Sequence, residues 1–156
     1  RPCKHVEWCM SPVELVAAGI VLLVTVAIGT VVHEGSHALA LQAFGLPYEL
    51  SWLPAPADGR TYHGLFGALA SVKPLGVRQD GSSWPLRTAA MMPLWMTVPV
   101  GLMLAGVFPD PVTAGDHVGT AVVIGWLACA LPSPRDFSIL WYADRAIRAR
   151  DESPPN

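Results

Sequence analysis

Three long stretches of this chain contain no charged residue, and they constrain its fold more than any other feature. They cover residues 15–32, 88–109 and 118–134. An apolar run of about 17 to 25 residues is long enough to cross the hydrocarbon core of a bilayer as a helix. Charged residues make up 14% of the chain, whereas a soluble domain carries nearer a quarter. The pattern predicts a mainly α membrane protein with a core of three transmembrane helices.

Turn and capping residues between these stretches set the predicted boundaries. Ser11 and Pro12 favour a helix start, and Gly45 favours a stop. Weak alternation interrupted by proline and glycine predicts a small β-hairpin or sheet over residues 48–72. The predicted helices cover residues 12–44, 86–108, 117–131 and 136–149. We expect one membrane-embedded domain over residues 12–150, an N-terminal extension over 1–11 and a disordered tail over 151–156.

The basic residues are divided unequally between the two sides of such a protein. With three spans, the N-terminus and the second connection share one side, and the first connection and the C-terminus share the other. The first side holds Arg1 and Lys4. The second side holds Arg60, Lys73, Arg78, Arg87, Arg135, Arg145, Arg148 and Arg150. Basic residues concentrate in cytoplasmic segments, so we expect a multi-pass membrane protein with its N-terminus outside and its C-terminus in the cytoplasm.

A His-Glu-Gly-Ser-His sequence occupies residues 33–37, at the cytoplasmic end of the first predicted helix. Residues four apart share one face of a helix, so His33 and His37 can bind one metal ion. Glu34 is displaced by one position, where it can act as the base that takes a proton from the catalytic water. Gly35 and Ser36 are small, which suits close helix packing on the opposite face.

A catalytic zinc ion usually has three protein ligands, so one more is expected from elsewhere in the chain. Asp136 is the first candidate, because it follows the third span on the same side as the two histidines. Asp144, two turns further along, is the alternative third ligand. Glu49 and His63 are weaker candidates, and His63 could instead donate a hydrogen bond to the oxyanion or contact the substrate. The set predicts one Zn²⁺ ion on the cytoplasmic side.

These residues resemble the site-2 protease family of intramembrane zinc metalloproteases and a smaller, related family of zincin membrane peptidases. The likeness rests on VVHEGSHALA at residues 31–40, on Phe44-Gly45 and on PSPRDFS at residues 132–138. The family core, three transmembrane helices with a short sheet after the first, would cover residues 12 to about 145. The resemblance implies that His33, His37 and Asp136 bind zinc and that Glu34 is the catalytic base.

The chain departs from the family pattern at two places. The family's distant aspartate usually lies in Leu-Asp-Gly, whereas Asp136 lies between Arg135 and Phe137. The family's middle helix often carries an Asn three residues after a Gly-Pro pair, whereas Met96 follows Pro93 here. The second departure leaves room for a different way of holding the substrate.

Together these features predict a membrane zinc metalloendopeptidase acting on transmembrane or membrane-adjacent peptides, with the bilayer as its environment. An extended substrate would add as a strand to the edge formed by residues 48–72. Nucleic acid is not an expected partner, because the 10 Lys and Arg residues form no stripe interleaved with aromatic residues. Two alternatives stay open at this point. One is a non-catalytic membrane protein with a structural zinc site or a partner-binding role, and the other is a soluble minimal zincin.

Overall fold

The computed structural model of the chain describes residues 10–52, 70–75 and 82–151. Within them the protein is mainly helical and has one small antiparallel sheet. Most of the predicted N-terminal extension (1–9), the part of the predicted sheet that contains His63, and nearly all of the predicted tail (152–156) lie outside the described residues.

The first helix, α1 (Pro12–Ala43), is long because its two ends are capped and its interior is uninterrupted. Ser11 and Glu14 form a reciprocal capping box, in which the backbone N–H of each donates to the side chain of the other. Gly45 (φ +67°) ends the helix in the left-handed conformation that favours glycine. The N–H of Leu46 then donates to the Leu41 carbonyl at 2.9 Å. The observed bounds lie within one residue of the predicted 12–44.

Two short strands follow α1. They are β1 (Tyr48–Trp52) and β2 (Ala70–Pro74), which pair antiparallel with Leu50 opposite Val72. Val72 is buried in a cluster with α1 residues that include Leu41. The sheet is therefore attached to the last two turns of α1, directly beyond the His-Glu-Gly-Ser-His sequence.

The second predicted helix, over 86–108, is not one regular helix. It is divided into α2 (Trp84–Met91), a 3-10 segment (Met92–Thr97) and α3 (Val98–Leu104). Pro93 and Pro99 cause the division, because proline cannot donate the helical hydrogen bond and its ring crowds the carbonyl four residues earlier. The 3-10 segment is the tighter winding that results.

The last two helices are separated by a single turn. Helix α4 (His117–Ala130) ends where Leu131 becomes extended (ψ 134°), as residues preceding proline favour. Helix α5 (Pro134–Asp151) begins two residues before its predicted start. Ser133 and Asp136 form a second capping box there, with the Ser133 N–H donating to Asp136 Oδ2 at 2.7 Å.

Helices α1 and α4 pack closely because small residues face each other. A Cβ built at Gly29 would lie 2.7 Å from Cys129 Sγ, and one built at Gly125 would lie 3.2 Å from the Leu22 side chain. The predicted role of Gly35 in close packing was wrong, since no described atom lies within 4 Å of a Cβ built at that residue. Gly29 performs that role one and a half turns earlier on α1.

Two helical segments, Pro12–Ala43 and His117–Arg145, are long and apolar enough to cross a membrane by length and composition. Their most apolar windows are only 17% and 22% buried inside the protein. Large apolar side chains lie exposed along α1, including Val13, Leu15, Ile20, Leu23 and Ile28. The interrupted segment from α2 to α3 is not one of these two membrane-length segments, so the three-span core stays a prediction.

We expect Gly29→Ala to destabilise the protein by about 1–3 kcal/mol, because the added methyl group would force α1 away from Cys129. Gly19→Ala is the matched control on the same helix, since no described atom lies within 4 Å of its Cβ. Thermal unfolding of both variants in detergent measures the difference. Equal melting temperatures would show that Gly29 does not set the distance between the two helices.

Candidate metal centre

His33 and His37 lie one turn apart on α1 and turn their rings toward a common point. Both residues are buried, at 8% and 7% exposure. Their ring centroids are 4.9 Å apart with an interplanar angle of 79°. The two Nε2 atoms are 3.2 Å apart. The helix therefore presents two imidazole nitrogens at the spacing that one ion can bridge.

Asp136 completes the group from the other end of the chain. It lies in the first turn of α5 and is 6% exposed. Its Oδ1 is 3.2 Å from His37 Nε2, and its Oδ2 is 3.5 Å from His33 Nε2. The capping box with Ser133 holds the carboxylate in place, because Oδ2 also accepts the Ser133 N–H. His33, His37 and Asp136 form a buried group that could hold a metal ion.

The distances within this group are of the size found in metal sites. Zinc binds imidazole nitrogen and carboxylate oxygen at about 2.0–2.2 Å, so neighbouring ligand atoms in a tetrahedron lie about 3.3–3.6 Å apart. The two Nε2 atoms are 3.2 Å apart, and each lies 3.2 or 3.5 Å from a different oxygen of Asp136. With one ligand atom taken from each residue, the three atoms lie within 4.8 Å of one another.

The hydrogen bond that Nδ1 of each imidazole makes determines whether its Nε2 carries a hydrogen or a lone pair. His37 Nδ1 donates to the Ala89 carbonyl at 2.8 Å, and His33 Nδ1 donates to the Cys129 carbonyl at 2.6 Å. A carbonyl can only accept, so each neutral ring carries its hydrogen on Nδ1 and a lone pair on Nε2. Both lone pairs then face each other and the Asp136 carboxylate. When both rings are neutral, these three acceptors repel one another. A cation, either a metal ion between them or a proton on one imidazole, removes that repulsion.

Glu34 lies beside this group rather than in it. A cavity of about 40 Å³ is lined by Glu34, His37 and Asp136, with Val72 and Leu86 among its apolar residues. Glu34 Oε2 accepts the backbone N–H of Val72 at 3.0 Å. The carboxylate is thus held at the cavity wall, next to the three converging side chains and against strand β2.

The structure places the remaining candidates away from the group or outside the described residues. Asp144, the alternative third ligand, instead accepts hydrogen bonds from the Ser83 hydroxyl and from Arg87, whose Nη2 is 2.6 Å away. That engagement joins α5 to the start of α2. Glu49 lies on β1 opposite Lys73. His63 is outside the described residues, so its suggested role stays a prediction.

Three backbone groups of the site were missed by the sequence analysis. They are the carbonyls of Ala89 and Cys129 and the N–H of Val72. Pro93 was a usable signal for the Ala89 carbonyl, because it removes the N–H that a helix would have supplied. Pro132 was a usable signal for the Cys129 carbonyl, because it ends α4 one residue after Cys129. The Val72 N–H has no such signal, since it depends on how the sheet packs on α1.

Comparisons of the chain with protein-family models, with curated proteins and with solved structures found no match.

We expect Asp136→Ala to lose most of its bound zinc, because the site would keep only two protein ligands. Asp144→Ala should keep most of its zinc, since the Asp144 carboxylate is bound by Ser83 and Arg87. Zinc content of the two purified variants, determined by elemental analysis, distinguishes the two aspartates. Full occupancy in Asp136→Ala, or loss only in Asp144→Ala, would reject Asp136 as the ligand.

Proposed function

We propose that this protein is a membrane-embedded zinc metalloendopeptidase with His33, His37 and Asp136 as ligands and Glu34 as the catalytic base. The observation that carries the proposal is the convergence of three buried acceptors on one point, with a second carboxylate, that of Glu34, on the wall of a cavity that His37 and Asp136 also line. The order of these residues in the sequence resembles that of the site-2 protease family. The convergence is independent of that resemblance, because it is a property of the fold.

Zinc is the metal that this ligand set suits best. A set of two imidazoles and one carboxylate is typical of catalytic zinc sites, whereas magnesium and calcium prefer sets made only of oxygen. When bound, zinc would supply a Lewis acid that polarises the scissile carbonyl and acidifies the attacking water.

Glu34 supplies the proton transfers in this proposal. Its carboxylate borders the cavity that His37 and Asp136 also line, within reach of a water molecule placed there. The carboxylate takes the proton of the attacking water and, once protonated, returns it to the leaving amine. Its bond to the Val72 N–H restricts the side chain to the side of the cavity that faces the sheet.

Strand β2 offers an edge on which an extended peptide can bind. Leu75 N–H donates to Pro47 O, which makes that pair hydrogen-bonded, and such pairs alternate along an antiparallel ladder. Val72, opposite Leu50, therefore points its N–H away from β1 and toward Glu34. A substrate strand added to this edge would take the Val72 N–H from Glu34 and run past the metal centre, which would release the carboxylate toward the attacking water. This supports a peptide as the substrate class.

The apolar surface supports a membrane location. Soluble proteins rarely expose large continuous apolar patches, yet most of the apolar window of α1 and that of the α4–α5 segment lie at the surface. His33 lies about 30 Å along α1 from Pro12, at 1.5 Å per residue, so the ligands would be near the far side of the hydrocarbon core. We propose α2 to α3 as the third span. The distribution of basic residues favours a cytoplasmic metal centre and C-terminus with the N-terminus outside.

The number of ligands favours catalysis over a structural metal. Structural zinc sites use four protein ligands, whereas catalytic sites use three and leave one position open. Among the described residues, the group contains only His33, His37 and Asp136. A non-catalytic zinc protein would need a fourth ligand converging on the same point.

We expect Glu34→Gln to abolish peptide cleavage while zinc binding is retained, because the amide can accept the Val72 N–H but cannot take a proton. A loss of at least about 100-fold is expected for removal of a general base. Turnover of a fluorogenic membrane-peptide substrate in detergent, together with zinc content, is the measurement. Glu49→Gln, on the exposed strand β1, is the matched control and should cleave normally. Undiminished turnover in Glu34→Gln would remove Glu34 from the mechanism.

We also expect the protein to stay with the membrane after alkaline carbonate extraction of cell membranes, since its exposed apolar helices would be solvated by lipid. A peripheral version of the same domain would be released into the supernatant. Quantitative recovery in the supernatant would contradict the membrane part of the proposal and favour a soluble zincin, without affecting the metal site.

A further inference from the structure

The Ala89 carbonyl that holds His37 is free to do so because of a proline. Ala89 lies in the last turn of α2, and in a regular helix its carbonyl would accept the N–H of residue 93. Pro93 has no N–H, and its ring crowds the carbonyl four residues before it. The chain tightens into the 3-10 segment, where the Met92 N–H donates to Ala89 O. The same oxygen accepts His37 Nδ1 at 2.8 Å.

The Cys129 carbonyl that holds His33 is also left free by a proline, but through a different effect. Cys129 is the second-last residue of α4, and in a continued helix its carbonyl would accept the N–H of residue 133. Pro132 restricts Leu131 to an extended conformation, which ends the helix before residue 133 can donate in this way. The Ser133 N–H is directed to a carboxylate in the capping box of α5. Cys129 O is left to accept His33 Nδ1 at 2.6 Å.

Both restraints select the same tautomer. With Nδ1–H donated to a carbonyl, each ring can offer only the Nε2 lone pair to the point where His33, His37 and Asp136 converge. Fixing the tautomer and the ring orientation before the ion arrives raises the affinity of a metal site. The two carbonyls come from α4 and α2, so one proline after each of these helices contributes to the same centre.

We propose that Pro93 and Pro132 are positioning residues of the metal centre. Pro93 withholds an N–H from the Ala89 carbonyl, and Pro132 ends α4 so that the Ser133 N–H leaves the Cys129 carbonyl. The two carbonyls then hold His37 and His33 in the ligating tautomer. This inference rests on the proposed function, since it requires that the group bind a metal ion. Pro93 and Pro132 would thus contribute to that function although neither is a metal ligand or the catalytic base.

A third proline in the same region provides the matched control. In the 3-10 segment the Met96 carbonyl would accept the N–H of residue 99, and Pro99 removes that donor. Met96 O instead accepts the indole Nε1 of Trp126, on α4, at 2.7 Å. Pro99 thus has the same backbone chemistry as Pro93, but it acts on a tryptophan and not on a metal ligand.

The experiment compares Pro93→Ala with Pro99→Ala in the full chain, purified in detergent. Each variant regains one backbone N–H, which competes with the side chain for the carbonyl. For Pro93→Ala we expect zinc affinity, measured by competition with a chelator, to fall by about tenfold or more, as for other losses of an outer partner. The ligand-field bands of the cobalt-substituted protein should shift as well. For Pro99→Ala we expect both properties to stay within about twofold of the unmodified protein.

A second pair makes the test independent of how well one variant folds. Pro132→Ala removes the restriction on Leu131, so α4 can continue and the N–H of Ser133 can compete with His33 for the Cys129 carbonyl. It should therefore lower zinc affinity and shift the cobalt spectrum through His33. Pro134→Ala, at the exposed first position of α5, should change neither, because the N–H that it adds has no helical acceptor. Thermal unfolding of the metal-free variants separates a loss of stability from a loss of affinity.

Three results are informative. Lower affinity and altered cobalt spectra in Pro93→Ala and Pro132→Ala, with both controls unchanged, support the inference. Affinities and spectra in those two variants that match their controls overturn it, while the zinc site itself stands. Absence of zinc binding in the unmodified protein would overturn the proposed function, and this inference with it.

Discussion

The repulsion among three lone-pair acceptors is the constraint on which the rest of this structure depends. Two imidazole Nε2 atoms and a carboxylate lie 3.2–3.5 Å from one another in a buried place, and both imidazole hydrogens are directed elsewhere. Burial of such a group is costly. The Ser133 N–H compensates part of this cost at Asp136 Oδ2, and a cation at the point of convergence would compensate the rest. The fold thus creates a buried place that could hold a positive ion.

The packing of the helices serves the same purpose. Gly29 lets α4 approach α1 closely enough for the Cys129 carbonyl to reach His33. The contacts of Ser83 and Arg87 with Asp144 hold α5 against the start of α2, and α2 supplies the carbonyl for His37. Each helix that contacts the site contributes either a ligand or the group that orients one.

Much of the site and part of the fold could be predicted from the sequence. Helix periodicity placed His33 and His37 on one face, and the capping signals of Ser11 and Gly45 predicted the bounds of α1 to within one residue. The convergence of Asp136 followed from topology. Asp144 was a wrong alternative, since nothing in the sequence revealed its contacts with Ser83 and Arg87. The middle helix was also wrong in form, because the sequence located Pro93 and Pro99 but not the 3-10 winding between them. The orienting carbonyls depend on distances between helices, which no local pattern encodes.

Asp136 has two tasks, and their combination has a thermodynamic consequence. The same carboxylate caps the first turn of α5 and faces the two histidines. Binding of an ion at the centre and ordering of that turn would therefore favour each other. Any ion that binds the folded centre more strongly than the unfolded chain raises the free energy of unfolding by mass action. Removal of the ion by a chelator would then loosen the start of α5 first. The mobility of that one turn would therefore measure the fraction of protein molecules that hold an ion.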